Sequence, residues 1–409
     1  MPFNQHIIDN PKAERVRRVT ELEKTRGRKK SGKFLIEGPQ SVREIVRWMP
    51  EVVEDCYVQM DERQSGLVSS VVEDIAREAD EQGLYLHQVT GDVMHRMSTD
   101  AQGIVAVGDL DVIRKRMAEG FAGGEAGDLT NAEVVHNVAT RRTEVRNSVS
   151  DNDETGKGTV NGNAETAAQR DTHSDVTSGR NQDSLGDSVA ASHDIEHAGN
   201  MDPLGDTVAA FWQIRDPGNA GTVIRSADAA GCRAVIFVDD CVDRFNPKVI
   251  RSTAGSLFHL PVVTMSTEEF FAWAQSQGSE VMAADVYGTK KVKPESLIDV
   301  MAGLGQRCNG DLNGGGGRAA EATLVSDGDQ DNDVRNDSGE NNASNQTGQG
   351  SHTILFGNEA RGLPADVLQR VQRIVSIPLY GKAESLNLAT STSVMLFTLA
   401  MARDAAKRQ

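Results

Sequence analysis

Three short loops of this chain bring together side chains that could hold and orient a ligand, and each directly follows a strand-like run. The first is DPGNAGTVIRSADAAG at 216–231, with Asn219 and Arg225. The second is ILFGNEARGLP at 354–364, where Asn358 and Glu359 follow Gly357, a position whose missing side chain lets a ligand or another backbone come close. The third is SIPLYGKAESLNLATSTSVMLFTLA at 376–400, with Ile377, Ser385, Leu386, Asn387 and Leu388. Taken singly, each also reads as ordinary structure: a helix capped by Asn219 with a solvated Arg225, a polar turn, and a helix start capped by Ser385 or Asn387. The trio is harder to explain that way, because Asn, Arg, Glu, Ser and Asn all fall on neighbouring strand-end loops of one sheet.

The elements that must position these loops alternate between two periods. TVAAFWQI, AVIFVDD, LPVV, EVMAADV, TILFG and RIVSIPL are apolar runs of strand length. NAGTVIRSADAAG, PKVIRSTAG, TEEFFAWAQSQG, PADVLQRV and a segment from about Leu386 to Arg403 read as helices, and Ala220, Val223, Ile224 and Ala227 form the buried stripe of the first. Strands alternating with helices imply a mostly parallel sheet covered on both faces, with ligands beyond the carboxyl ends of its strands. Upstream, residues 34–110 read as a small α/β domain, from FLIEG and SVREIVRWM to LYLHQV and GIVAVGD.

Two stretches lack any period. Residues 111–204, and 303–351 inside the C-terminal domain, are rich in Asn, Asp, Ser, Thr and Gly, and are expected to be a disordered linker and a disordered insertion. They also explain the charge. The net −17 looks wrong for a nucleic-acid protein, but 111–200 holds 9 basic and 16 acidic residues, and 301–350 holds 3 and 8. Residues 12–33 hold ten basic side chains against three acidic ones, so a basic segment over 1–33 survives the acidic total. No apolar run approaches membrane-helix length and the N-terminus has no signal-peptide core, so a cytoplasmic address is expected. Cys56, Cys232, Cys241 and Cys308 form no CxxC pair. GxGxxG after a strand, GxxxxGK[ST] and HExxH are absent, which argues against dinucleotide, P-loop and metalloprotease chemistry, and no metal site is supported.

The three loops resemble the motifs of the SpoU (TrmH) branch of the SPOUT methyltransferases. They read as N219-x-G221-x-x-I224-R225-x-A227, then G357-N358-E359-x-x-G362, then I377-P378 followed by S385-L386-N387. STAGSLFHLPV at 252–262 resembles the family's segment between the first two motifs, and the resemblance covers about 205–300 and 352–409. FLIEGPQSVREIV and QGIVAVGD are similar to the ends of the ribosomal-protein-like RNA-binding domain often fused in front.

The resemblance implies a trefoil-knotted domain over 205–409, interrupted at 303–351, with S-adenosyl-L-methionine in the knotted loops. Backbone near Gly357, Ile377 and Leu386, flanked by Asn358 and Leu388, would hold the adenosine. Asn219, Arg225, Glu359, Ser385 and Asn387 would form the reaction centre, with Glu359 locking Arg225 and Arg225 binding phosphate and polarising the ribose hydroxyl. The implied activity is RNA ribose 2′-O-methylation in a homodimer, with ribosomal RNA favoured over transfer RNA. A transfer RNA enzyme, a resistance-conferring enzyme and a non-catalytic ribosome-assembly protein on the same fold are the alternatives.

Overall fold

The computed structural model describes residues 6–61, 66–122, 206–290, 292–302 and 352–408. The rest of the expected linker and the insertion at 303–351 lie outside the described residues. The N-terminal lobe is built on four strands, β1 (Lys33–Glu37), β2 (Val53–Gln59), β3 (Leu86–Val89) and β4 (Ile104–Asp109), in the order β1-β4-β2-β3. β4 runs antiparallel to β1 and β2, and β2 is parallel to β3. Helices α1 (Glu14–Glu21) and α2 (Thr25–Ser31) precede the sheet, followed by α3 (Pro39–Trp48), α4 (Ser70–Glu81), α5 (Gly91–Met97) and α6 (Leu110–Phe121).

Two boundaries differ from the sequence reading. The basic stretch 12–33 is part of the fold: Val16, Val19 and Leu22 are buried with Leu35, Tyr57 and Val105. Residues 111–121, read as the start of the linker, belong to the helix Leu110–Phe121 capped by Asp109, whose Oδ1 accepts from Asp111 N at 2.7 Å and Val112 N at 3.0 Å. Leu110, Ile113 and Met117 give it a buried stripe at i, i+3, i+7, which the polar residues beyond it concealed.

The C-terminal lobe has seven strands: β5 (Thr207–Trp212), β6 (Ala234–Val238), β7 (Val262–Met265), β8 (Glu280–Ala284), β9 (Glu295–Ser296), β10 (His352–Phe356) and β11 (Arg373–Ser376). Their order is β7-β6-β5-β10-β8-β11-β9, and every pairing is parallel. β6 is buried along its whole length, the mark of a strand covered on both faces. One face packs on α7 (Pro217–Ala229), α8 (Pro247–Ser252) and α11 (Leu388–Lys407), through Ala209, Phe211, Val235, Phe237 and Phe356. The other packs on α9 (Thr267–Ser276) and the short α10 (Ala365–Leu368), through Val208, Ala210, Ile236 and Leu355. α9 opens with a capping box between Ser266 and Glu269. This is the mostly parallel, doubly covered sheet that the alternating periods imply.

The two lobes share one hydrophobic core, which contains Phe34 and Ile36 of the first and Phe211 and Ile224 of the second. Phe34 meets Phe245 at a ring separation of 5.1 Å, and Phe121 meets Trp273 at 5.2 Å. Arg28, only 2% exposed, uses all five of its N–H donors at the seam: Nε and Nη2 to Asp243 Oδ2 at 3.0 and 2.6 Å, Nη1 to the carbonyls of Leu22 and Glu23, and Nη2 to Thr25. Arg251 pairs with Glu37 and, at 2.8 Å, with Asp100. His259 lies between Asp228 at 2.8 Å and Glu44 at 3.2 Å. The front lobe, whose placement the long linker leaves open in the sequence, is docked.

Candidate active site

After β5 the chain turns to the face holding α7, and after the adjacent β10 it turns to the face holding α10. The chain thus leaves these two neighbouring strands toward opposite faces, the switch point at whose crevice parallel sheets bind ligands. Asn219 lies on the first loop and helix start, Glu359 on the second, and Asn387 where the β11 loop enters α11.

Local chemistry fixes each loop. Asp216, followed by Pro217 at the first helical position, caps α7: its Oδ1 accepts from Asn219 N at 2.8 Å. Asn219 therefore does not cap, as the sequence suggested, and its amide is free to face the other loops. Gly221 lets α7 approach α8, since a Cβ there would sit 2.3 Å from Ser252 Cβ. The second loop is a tight turn in which Asn358 Oδ1 accepts from Ala360 N at 3.1 Å and Arg361 N at 3.2 Å. Asn358 Nδ2 donates to Gln213 O at 2.7 Å and Glu359 Oε2 at 3.2 Å, tying the turn to the end of β5. Gly357 has no room for a side chain because the backbone of Gly362 would lie 2.4 Å from its Cβ; the close approach is by backbone. Asn387 caps α11, accepting from Ala389 N at 2.8 Å and Thr390 N at 3.4 Å.

The three loops meet in one hydrogen-bonded chain. Asn387 Nδ2 donates to Asn219 Oδ1 at 3.2 Å, and Asn219 Nδ2 donates to Glu359 Oε1 at 3.4 Å. The same carboxylate oxygen faces Arg215 N at 3.4 Å and Asp216 N at 3.3 Å, an anion against the positive end of α7. These contacts lie at or beyond the long end of ordinary N–H···O bonds; Glu359 and Asn387 are exposed and Asn219 is half-buried. Polar groups that hold one another loosely at a solvent-open crevice can exchange those bonds for bonds to a ligand.

Arg225 is not in this chain. It is exposed on α7 and its side chain makes no ion pair or hydrogen bond with any described residue, so the expected lock by Glu359 is replaced by the hold of Glu359 on the helix start. Ser385 is also exposed and outside the chain, Leu386 is exposed, Ile377 packs against the core and Leu388 is buried at the first turn of α11. Residues 377–386 make no backbone–backbone hydrogen bond with described residues. The sequence reading missed Asp216, although Asp-Pro at a helix start signals a cap. It also missed Gln213, a non-glycine residue at φ 51° whose Oε1 accepts from Arg361 Nη2 at 2.9 Å, and nothing in the sequence marks that conformation. Cys241 lies beneath the first loop, its Sγ 3.2 Å from Val238 O; burial pushes the thiol up to about 12, which removes it as a nucleophile. No described group of three or more His, Cys, Asp or Glu could hold a metal ion, and no described helix is long and apolar enough to cross a membrane.

A doubly covered parallel sheet with polar loops converging at its switch point defines an α/β ligand-binding domain. Residues 206–305 and 323–397 match the SpoU rRNA Methylase family, and residues 13–106 match the MRM3-like substrate binding domain. The C-terminal lobe thus belongs to the SpoU rRNA methylase family, with an MRM3-like domain in front. Among similar proteins, the 23S rRNA (guanosine(2553)-2'-O)-methyltransferase RlmP of Bacillus subtilis (strain 168) is 28% identical over 181 residues, 44% of this chain and 52% of the relative. The mitochondrial rRNA methyltransferase 3B of Danio rerio is 30% identical over 192 residues, 44% of this chain and 42% of the relative. The chain thus spans about half the length of the curated relatives it matches. The fold is that of an AdoMet-bound rRNA methyltransferase from Sinorhizobium meliloti, with TM-score 0.53, 18% identity and 97% of each chain covered. It is also that of the SpoU methyltransferase AviRb from Streptomyces viridochromogenes, with TM-score 0.52, 17% identity, and 96% and 98% covered.

Proposed function

We propose that this chain is an S-adenosyl-L-methionine-dependent RNA methyltransferase that modifies a ribose 2′-hydroxyl of ribosomal RNA, in the cytoplasm. The observation that carries this reading is the chain from Asn387 through Asn219 to Glu359, which joins at one crevice three loops of which the first lies more than a hundred residues from the other two in sequence. The family match of both lobes supports ribosomal RNA as the substrate class.

The residues present suit the cofactor. The loop 377–386 has backbone N–H and C=O groups with no backbone partner among the described residues, beside exposed Leu386 and Tyr380, a setting for the polar edge and flat face of adenine. When bound, S-adenosylmethionine supplies a methyl group on a positively charged sulfur. The protein's own part is positioning. Asn219 and Asn387 orient the ribose through their amides, and Ser385 adds a hydroxyl from the same loop. Glu359 holds the start of α7 and with it Asn219. Arg225, whose guanidinium offers N–H donors and no acceptor, binds a phosphate and polarises the 2′-hydroxyl rather than acting as a base. Alignment of the reacting atoms is worth several kcal/mol, on the order of effective-molarity gains. The trefoil knot and the roles given to Gly357, Asn358, Ile377 and Leu388 through their backbone belong to the same proposal.

A homodimer completes the reading. α11 buries Met395, Leu396, Leu399 and Ala400 in the core, yet Val394, Phe397 and Met401 are 37%, 38% and 62% exposed at i, i+3, i+7. A helix apolar on two faces has a second surface to cover, and a symmetric pairing of α11 would cover it. Phe397→Glu should yield a monomer by sedimentation.

The functional test is calorimetric binding of S-adenosylmethionine followed by transfer of labelled methyl to unmodified ribosomal RNA. Label on a ribose 2′-oxygen is expected. Cofactor binding without transfer to any RNA would replace the enzyme by a non-catalytic RNA-binding protein.

A further inference from the structure

Helix α2 is short, basic and clamped. Arg28 faces inward and bonds Asp243 across the lobe seam, while Arg26, Lys29 and Lys30 are exposed and make no ion pair with described residues. Asp243 lies on the loop that leaves β6, at the same sheet edge as the candidate site. That loop is joined to the first catalytic loop twice: Val242 N donates to Ile214 O at 2.8 Å, and Arg215 Nη2 meets Asp240 Oδ2 at 2.8 Å. Two residues past Ile214 stands Asp216, whose N–H faces Glu359. The backbone path from Asp243 to Asp216 is therefore at most roughly 16 Å, a few nucleotides of extended chain.

Basic residues in the last turn also favour the helix's own carbonyl end. That role needs no particular location, whereas Arg28 fixes this helix beside the crevice with every donor used. We infer that α2 grips RNA phosphates through Arg26, Lys29 and Lys30, and that the Arg28–Asp243 pair sets the distance between this grip and the methyl-transfer loops. Arg28 and Asp243 are thus positioning residues. The inference rests on the proposed function and names how its substrate is held.

The test uses the full chain, with unmodified large-subunit ribosomal RNA transcribed in vitro as probe. The surface triple variant Arg26→Gln, Lys29→Gln, Lys30→Gln should raise KM for RNA at least tenfold, with kcat and S-adenosylmethionine affinity within twofold of wild type. The slope of log Kd against log salt should fall by about 2, as three lost phosphate contacts require. Asp243→Asn, which keeps the shape of the seam, should raise KM for RNA about fivefold with little change in kcat. Unchanged KM and salt slope in an active triple variant would overturn the grip, and a fall in kcat alone in Asp243→Asn would overturn the positioning. If wild type transfers no methyl group, the functional reading falls, and the grip is then decided by the salt slope of RNA binding.

Discussion

The lobe seam and the candidate active site are built from the same kinds of residue in opposite ways. At the seam a buried guanidinium has every donor engaged at 2.6 to 3.0 Å, and the tilted rings of Phe34 and Phe245 meet across the same seam. At the crevice an exposed carboxylate, a half-buried amide and an exposed amide face one another at 3.2 to 3.4 Å, and the exposed guanidinium of Arg225 has no partner among the described residues. Satisfied polar groups rigidify a structure, whereas half-satisfied ones are available to a ligand. The polar groups of the molecule are thus tightly paired where its lobes meet and loosely paired at the candidate site.

Breaking the seam should have the largest effect. Arg28→Met strips Asp243 and two carbonyls of their donor and should cost about 3 kcal/mol or more in urea unfolding of the full chain. At the crevice, Arg225→Ala should leave stability and S-adenosylmethionine affinity nearly intact while lowering methyl transfer on the order of 100-fold or more, the scale of a lost charge-stabilising group. An active Arg225→Ala variant would remove this residue from the reaction.

The seam also carries a pH dependence. Burial pulls the imidazole of His259 down, but hydrogen bonds to Asp228 and Glu44 outweigh it and hold the pKa up at about 9. The same contact holds the Glu44 carboxyl below its ordinary value. Because the folded pKa of His259 lies above the unfolded value near 6.5, its stabilisation is complete below about pH 6.5 and lost as pH rises through 9. The melting temperature should fall across that window, and His259→Gln should flatten the fall. The smallest effect belongs to the crevice: Glu359→Gln keeps the shape and should change stability by less than about 1 kcal/mol, since the contacts are long and exposed. A larger loss would mean that the reaction centre is as tightly held as the seam.

What the sequence displays depends on the range of the cause. Apolar periods set by burial in a parallel sheet are readable for nearly every strand, and the cap of α11 is narrowed to Ser385 or Asn387, because both signals are local. α6 was lost in the polar sequence that follows it, although its stripe Leu110, Ile113, Met117 is regular. The helical N-terminus was read only as charge, because ten basic side chains overshadowed Val16, Val19 and Leu22. The residue types of the crevice were legible, but their pairings were not. Whether Glu359 faces Arg225 or the start of α7 depends on the angle at which α7 leaves β5, which is set by Asp216, Gln213 and the turn held by Asn358.

The position of β10 bears on how the chain is made. This strand lies between β5 and β8, both synthesised earlier, and residues 303–351 must leave the ribosome before it. Until His352–Phe356 emerge, two apolar strands have open edges, the condition under which nascent chains pair with the wrong neighbour. Slow translation across the insertion would lengthen that interval, so codon usage there should affect the yield of active protein more than codon usage in the front lobe.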